Sequence, residues 1–133
     1  MPQPPEIVDS HCHLDFPDFD EERDDIIARA QAAGVTRMVT ICTKLRQLPQ
    51  VQAIAEAHDC VFFAAGTHPM SAADEPLVSV DDLLALTAHP KMVGIGETGL
   101  DYHYTEDSAE VQKQSLRIHC AAAAQSGLPL IIH

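Results

Sequence analysis

Basic residues are scarce in this sequence: 8 Lys and Arg stand against 20 Asp and Glu in 133 residues, a formal charge of −12. A bare surface of that sign repels nucleic acid, whose phosphates are normally held by lysine and arginine. No apolar run approaches the ~20 residues needed to span a bilayer. The opening MPQPPEIVDS also has neither the basic n-region nor the apolar stretch of a signal peptide. The expectation is a cytoplasmic protein with no membrane partner. The four cysteines, Cys12, Cys42, Cys60 and Cys120, form no CxxC pair and are too sparse for a disulfide scaffold. They read as reduced thiols, with Cys42 and Cys120 packing as small apolar residues. No linker or low-complexity tract follows the proline-containing opening, so residues 1–133 read as belonging to one domain.

What is present is regular. The 46% hydrophobic and 21% charged content is that of a globular protein with a core. Apolar strand-like runs at 7–9, 38–41, 61–66, 92–96 and 128–132 alternate with helical patterns at 20–33, 47–58, 80–88 and 108–126. Gly34 and Gly127 stand where helices stop, and Asp81 and Asp82 where a helix N-terminus favours an acid. Strand and helix in strict alternation require right-handed crossovers and a parallel sheet covered by helices, an α/β architecture. The near-continuous apolar strands agree with that.

The polar residues fall where such a fold concentrates chemistry, at the C-terminal ends of its strands. His11 and His13 follow the first strand, His68 the third, Glu97 the fourth and His133 the fifth. In an extended segment, i and i+2 side chains share a face, so His11 and His13 can grip one cation. Imidazole and carboxylate suit zinc and similar divalent metals. Glu97 lies in GIGETGLDY with no basic residue nearby in sequence, and a carboxylate behind a buried strand is costly unless it is paired or coordinating. Its two oxygens could bridge two metals. Bound cations would also offset the acidic surface. His58, His89 and His119 fall in or beside helices, where a solvent-facing role is expected.

Taken in order, VDSHCHLDFPDF at 8–19, GTHP at 66–69, GIGETGLDY at 94–102 and GLPLIIH at 127–133 resemble the successive motifs of the TatD family of metal-dependent deoxyribonucleases. The resemblance implies a parallel (β/α) barrel of the TIM type, a fold that typically needs ~250 residues. Residues 1–133 would supply its N-terminal part, about five strands and four helices of eight. It further implies that His11 and His13 bind one divalent metal, that Glu97 bridges two, and that His133 binds the second; zinc, magnesium and manganese all stay open. Through the same resemblance Glu97 and His68 become catalytic candidates, His68 as a histidine near the substrate. The family's remaining ligands, a later histidine and an aspartate, would lie beyond residue 133. The implied reaction is hydrolysis of DNA phosphodiester bonds by a metal-activated water, on single strands or ends, with RNA as an alternative substrate. Two other readings remain: a related hydrolase acting on another ester or amide, and a non-catalytic half-barrel. The open edges of strands one and five predict self-association or a C-terminal companion fragment.

Overall fold

The computed structural model describes residues 3–133. Its strands are β1 (Ile7–Cys12), β2 (Val35–Ile41), β3 (Val61–Ala65), β4 (Met92–Thr98) and β5 (Leu130–Ile132). The intervening helices are α1 (Arg23–Ala32), α2 (Leu48–Ala57), α3 (Val80–Leu86) and α4 (Ala109–Ser126). All neighbouring strands pair in parallel, in the order β1-β2-β3-β4-β5. An order that never reverses belongs to a rolling barrel sheet, since a doubly wound sheet reverses at its switch point.

Local chemistry sets most boundaries. Asp24 and Asp25 occupy the first turn of α1 and Arg29 its last, each matched to the helix dipole. Gly34, at φ +103°, then turns the chain into β2. Ser79 and Asp82 form a reciprocal capping box at the start of α3, with bonds of 3.0 and 3.2 Å. Gly127, at φ +75°, closes α4. The core lies between sheet and helices. Phe63, Met38 and Ile95 of the sheet meet Ile27 of α1, Val51 and Ile54 of α2, Leu83 of α3 and Ala122 of α4. Among the described residues, no helix is long and apolar enough to cross a membrane.

Three sequence expectations need correction. The first helix begins at Arg23 and not at Asp20, because Pro17–Phe19 forms a separate 3-10 turn and residues 20–22 are turns. Cys120 is exposed, whereas Cys42 is fully buried as expected. His119, expected to face solvent, is also fully buried. His58 and His89 are partly buried and pair with the exposed acids Asp24 and Glu56 at 3.0 and 2.8 Å.

Strand lengths also differ in a way that matters for the site. β1 runs on to Cys12 and β4 to Thr98, so His11 and Glu97 lie inside strands and not behind them. Cross-strand pairing carries both extensions: Cys12 pairs with Thr40, and Thr98 with Ile132.

Candidate metal centre

The rim is shaped first by the backbone. Asp9 Oδ1 accepts the His11 N–H at 3.1 Å, and the register of β1 against β2 shifts between Asp9 and Cys12. His11 and His13 emerge on one face with ring centroids 5.2 Å apart. On the opposite side, the ends of β3 and β4 approach so closely that a Cβ on Gly66 would lie 2.6 Å from the Gly96 Cα. The Glu97 N–H donates to the Cys42 carbonyl at 3.2 Å, and the His133 N–H to the Thr98 carbonyl at 2.8 Å. These contacts draw four strand ends around one carboxylate.

Glu97 is only 5% exposed, and its two oxygens divide the histidines between them. Oε2 lies 3.3 Å from His11 Nε2 and 3.8 Å from His13 Nε2. Oε1 lies 3.3 Å from His133 Nδ1 and 3.7 Å from His68 Nε2. His11, His13, His68, Glu97 and His133, singled out in the sequence, are therefore brought together.

Proton positions follow from the partners on the far side of each ring. His13 Nδ1 faces the Ile41 carbonyl at 3.2 Å. A carbonyl can only accept, so the ring proton sits on Nδ1 and the Nε2 lone pair is turned to Glu97. His133 Nε2 faces the Asp101 carboxylate at 3.1 Å while its Nδ1 lies 3.1 Å from His68 Nε2, an N–H donor, so the ring proton sits on Nε2 and the Nδ1 lone pair is turned toward His68 and Glu97. His68 differs. Its Nδ1 accepts the Met70 N–H at 3.1 Å, so the neutral ring offers an N–H at Nε2, directed at His133 Nδ1 3.1 Å away. Burial holds the His68 pKa below its usual value, against the opposing pull of Glu97, which keeps the ring neutral at pH 7.

This arrangement fits a cation. Two ring lone pairs face a buried carboxylate, and among the described residues no lysine or arginine forms an ion pair with it. Donor atoms from His11, His13 and Glu97, and separately from His68, Glu97 and His133, lie within 4.8 Å of one another. Cysteine takes no part in either group. Burial raises the Cys12 thiol to about 12 and Cys42 to about 11, so both remain protonated.

Two residues at the site escaped the sequence reading. Asp101 is buried beneath the rim, and its carboxyl is held below the usual carboxylate range, chiefly by the Tyr104 N–H and also by hydrogen bonds from His133 and His103. The fully buried Gln112 of α4 accepts the Asp101 N–H at 2.7 Å and donates to the Asp101 and Thr105 carbonyls at 3.1 and 2.8 Å. The only signal was Asp101 itself, in a motif already marked for Glu97. Gln112 looked like any polar residue on a helix.

His119 supports the same rim from α4. Its Nε2 accepts the Thr67 N–H at 3.0 Å, and its Nδ1 donates to the Ser115 carbonyl at 2.6 Å. Burial, opposed by the Ser115 hydrogen bond, lowers its pKa from the usual 6.5. The unfolded chain therefore binds this proton more readily than the native state does. Its stabilising contribution is complete above pH ~6.5 and is lost as pH falls toward the lower native value. Urea unfolding of His119→Gln is expected to depend less on pH just below 6.5 than that of the parent. An unchanged slope would show that the ring does not titrate in this way.

The chain spans about half the length of the curated relatives it matches. It is 34% identical over 127 residues to the metal-dependent hydrolase YabD of Bacillus subtilis, covering 96% of this chain and 50% of that protein. To the 3'-5' ssDNA/RNA exonuclease TatD of Citrobacter koseri it is 31% identical over 127 residues, covering 96% and 49%. The crystal structure of YJJV, a TatD homologue from Escherichia coli, superposes with a TM-score of 0.85 at 33% identity, over 95% of this chain and 49% of that one. The fold is thus that of the TatD-type TIM barrel, of which this chain supplies about half. With the TatD-related DNase family matching residues 8–133, this chain belongs to that family.

Proposed function

We propose that this chain carries the metal-binding rim of a hydrolase that cleaves phosphodiester bonds in nucleic acid, with single-stranded DNA or DNA ends as substrate. The observation that carries the reading is the division of Glu97, one oxygen toward His11 and His13 and the other toward His133 and His68. His11, His13 and Glu97 Oε2 would hold one divalent cation, and Glu97 Oε1 with His133 Nδ1 a second. Bound there, such ions would supply Lewis acidity, which makes a water nucleophile available near neutral pH and offsets charge on the phosphate. His68 presents an N–H in place of a lone pair, so its role is to donate a hydrogen bond to a substrate oxygen beside the ions.

The family and the exonuclease name of one relative support the choice of substrate. A formal charge of −12 is no obstacle if cations sit at the point of contact. The outer edges of β1 and β5 each lack a neighbouring strand among the described residues, and Ile7 and Val8 are half exposed. We assign those edges to pairing with further chain, either the remainder of a barrel or a second copy.

The test is nucleotide release from end-labelled single-stranded DNA by the whole protein. Zinc, magnesium or manganese should stimulate release, and a chelator should abolish it. Metal binding without release from DNA or RNA would shift the site to another ester or amide.

A further inference from the structure

Asp101 offers its two oxygens to different tasks. Oδ1 accepts the N–H groups of His103 and Tyr104 at 3.1 and 3.0 Å. Oδ2 faces His133 Nε2 at 3.1 Å. Its backbone is fixed, because Gln112 holds its N–H and carbonyl and Thr105 Oγ1 also donates to that carbonyl, at 2.7 Å, and the two N–H groups on Oδ1 hold the carboxylate itself. His133 stands between two carboxylates, Asp101 and Glu97, but its Nδ1 also lies 3.1 Å from the His68 Nε2–H, so Nδ1 accepts there and Nε2 is the nitrogen that donates to Asp101.

We infer that Asp101 is a positioning residue that fixes the His133 ring with its proton on Nε2 and its Nδ1 lone pair on Glu97. This rests on the metal reading of the rim only for its consequence, that His133 binds through Nδ1. A carboxylate behind a ligating histidine sets both ring orientation and basicity, and its loss typically costs ~10–100-fold in metal affinity.

The geometry makes Asp101→Asn a sharp probe. Two backbone N–H groups demand an acceptor at the Oδ1 position, so the amide oxygen must stay there and the NH2 must take the place of Oδ2. His133 then meets a donor at Nε2. It has to accept there, and its proton moves to Nδ1, where it blocks the lone pair. A purely structural role for Asp101 would not invert a tautomer.

The measurement is long-range 1H–15N correlation on the metal-free, 15N-histidine-labelled chain. His119 is an internal gauge of folding, because its contacts place the proton on Nδ1. In the parent, His133 is expected to show a protected Nε2–H and a bare Nδ1; a proton on Nδ1 would overturn the inference. In Asp101→Asn the proton should move to Nδ1. Zinc titration should then show the second ion bound ~10–100-fold more weakly while the His11–His13 ion is retained. Retention of Nε2–H in a folded Asp101→Asn chain overturns it equally. If the variant loses the His119 signature, the parent spectrum decides alone. Failure of the parent to bind zinc would instead remove the metal reading and leave the tautomer result standing.

Discussion

Glu97→Gln is expected to remove both cations together and to lower metal-stimulated nucleotide release by about 10³-fold, the scale of several kcal/mol of lost charge stabilisation. Each oxygen of Glu97 faces a separate set of ring nitrogens, so no single-histidine variant should match it. His11→Ala or His133→Ala should each spare one ion. The metal-free protein should respond in the opposite direction. There the carboxylate faces the lone pairs of His13 and His133, and a glutamine amide can donate to one of them. That exchange replaces a repulsive contact with a hydrogen bond worth ~1 kcal/mol. Without metal, then, Glu97→Gln should be at least as stable as the parent. With zinc at about 100 times its dissociation constant the parent should gain ~2.7 kcal/mol and the variant nothing. Chemical unfolding with and without zinc reads both effects. A variant that is weaker without metal, yet still stabilised by zinc, would show that Glu97 is a structural residue and not the shared ligand.

Gly96→Ala should cost ~4 kcal/mol, combining backbone strain of ~1–3 kcal/mol with overpacking of a similar size. Gly96 has φ +140°, and an added Cβ would lie 2.5 Å from the Ile131 carbonyl oxygen and 2.9 Å from the Ile131 Cβ. Neither atom can yield without moving β5, and β5 delivers His133. The loss should therefore appear in stability and in metal affinity alike. Gly127→Ala is the comparison: φ is +75°, but nothing lies within 4 Å of the new methyl. It should cost only ~1 kcal/mol and leave the rim intact. Urea denaturation of the two variants checks the order. If Gly127→Ala proved the more damaging, close approach of β4 and β5 would not be what holds the rim.

The extent to which the sequence foretold this molecule follows from the range of each interaction. Strand and helix order was legible because it depends on periodicity and punctuation within a few residues, such as the apolar run Val61–Ala65 or the stop at Gly127. The co-facing of His11 and His13 was legible for the same reason, since alternation along an extended chain is local geometry. So was the gathering of His68, Glu97 and His133 at one rim, which follows once the strands are parallel. The ends of strands were not legible: whether β4 stops before Glu97 or carries it depends on a partner strand, and Thr98 pairs with Ile132 far along the chain. Burial of His119 and exposure of Cys120 were hidden because adjacent helical residues point in different directions, and only packing decides which one meets the sheet.

Proton placement lay furthest from view. The sequence by itself determined an α/β chain with parallel strands and the side chains that can bind a cation. Only the tertiary structure decided that Ile41, Met70 and Asp101 stand behind His13, His68 and His133, turning two rings into lone-pair donors and the third into an N–H donor. The reason is physical: a histidine's chemistry at one nitrogen is set by the partner of the other, and those partners arrive from distant segments or from backbone groups that carry no residue-specific signal.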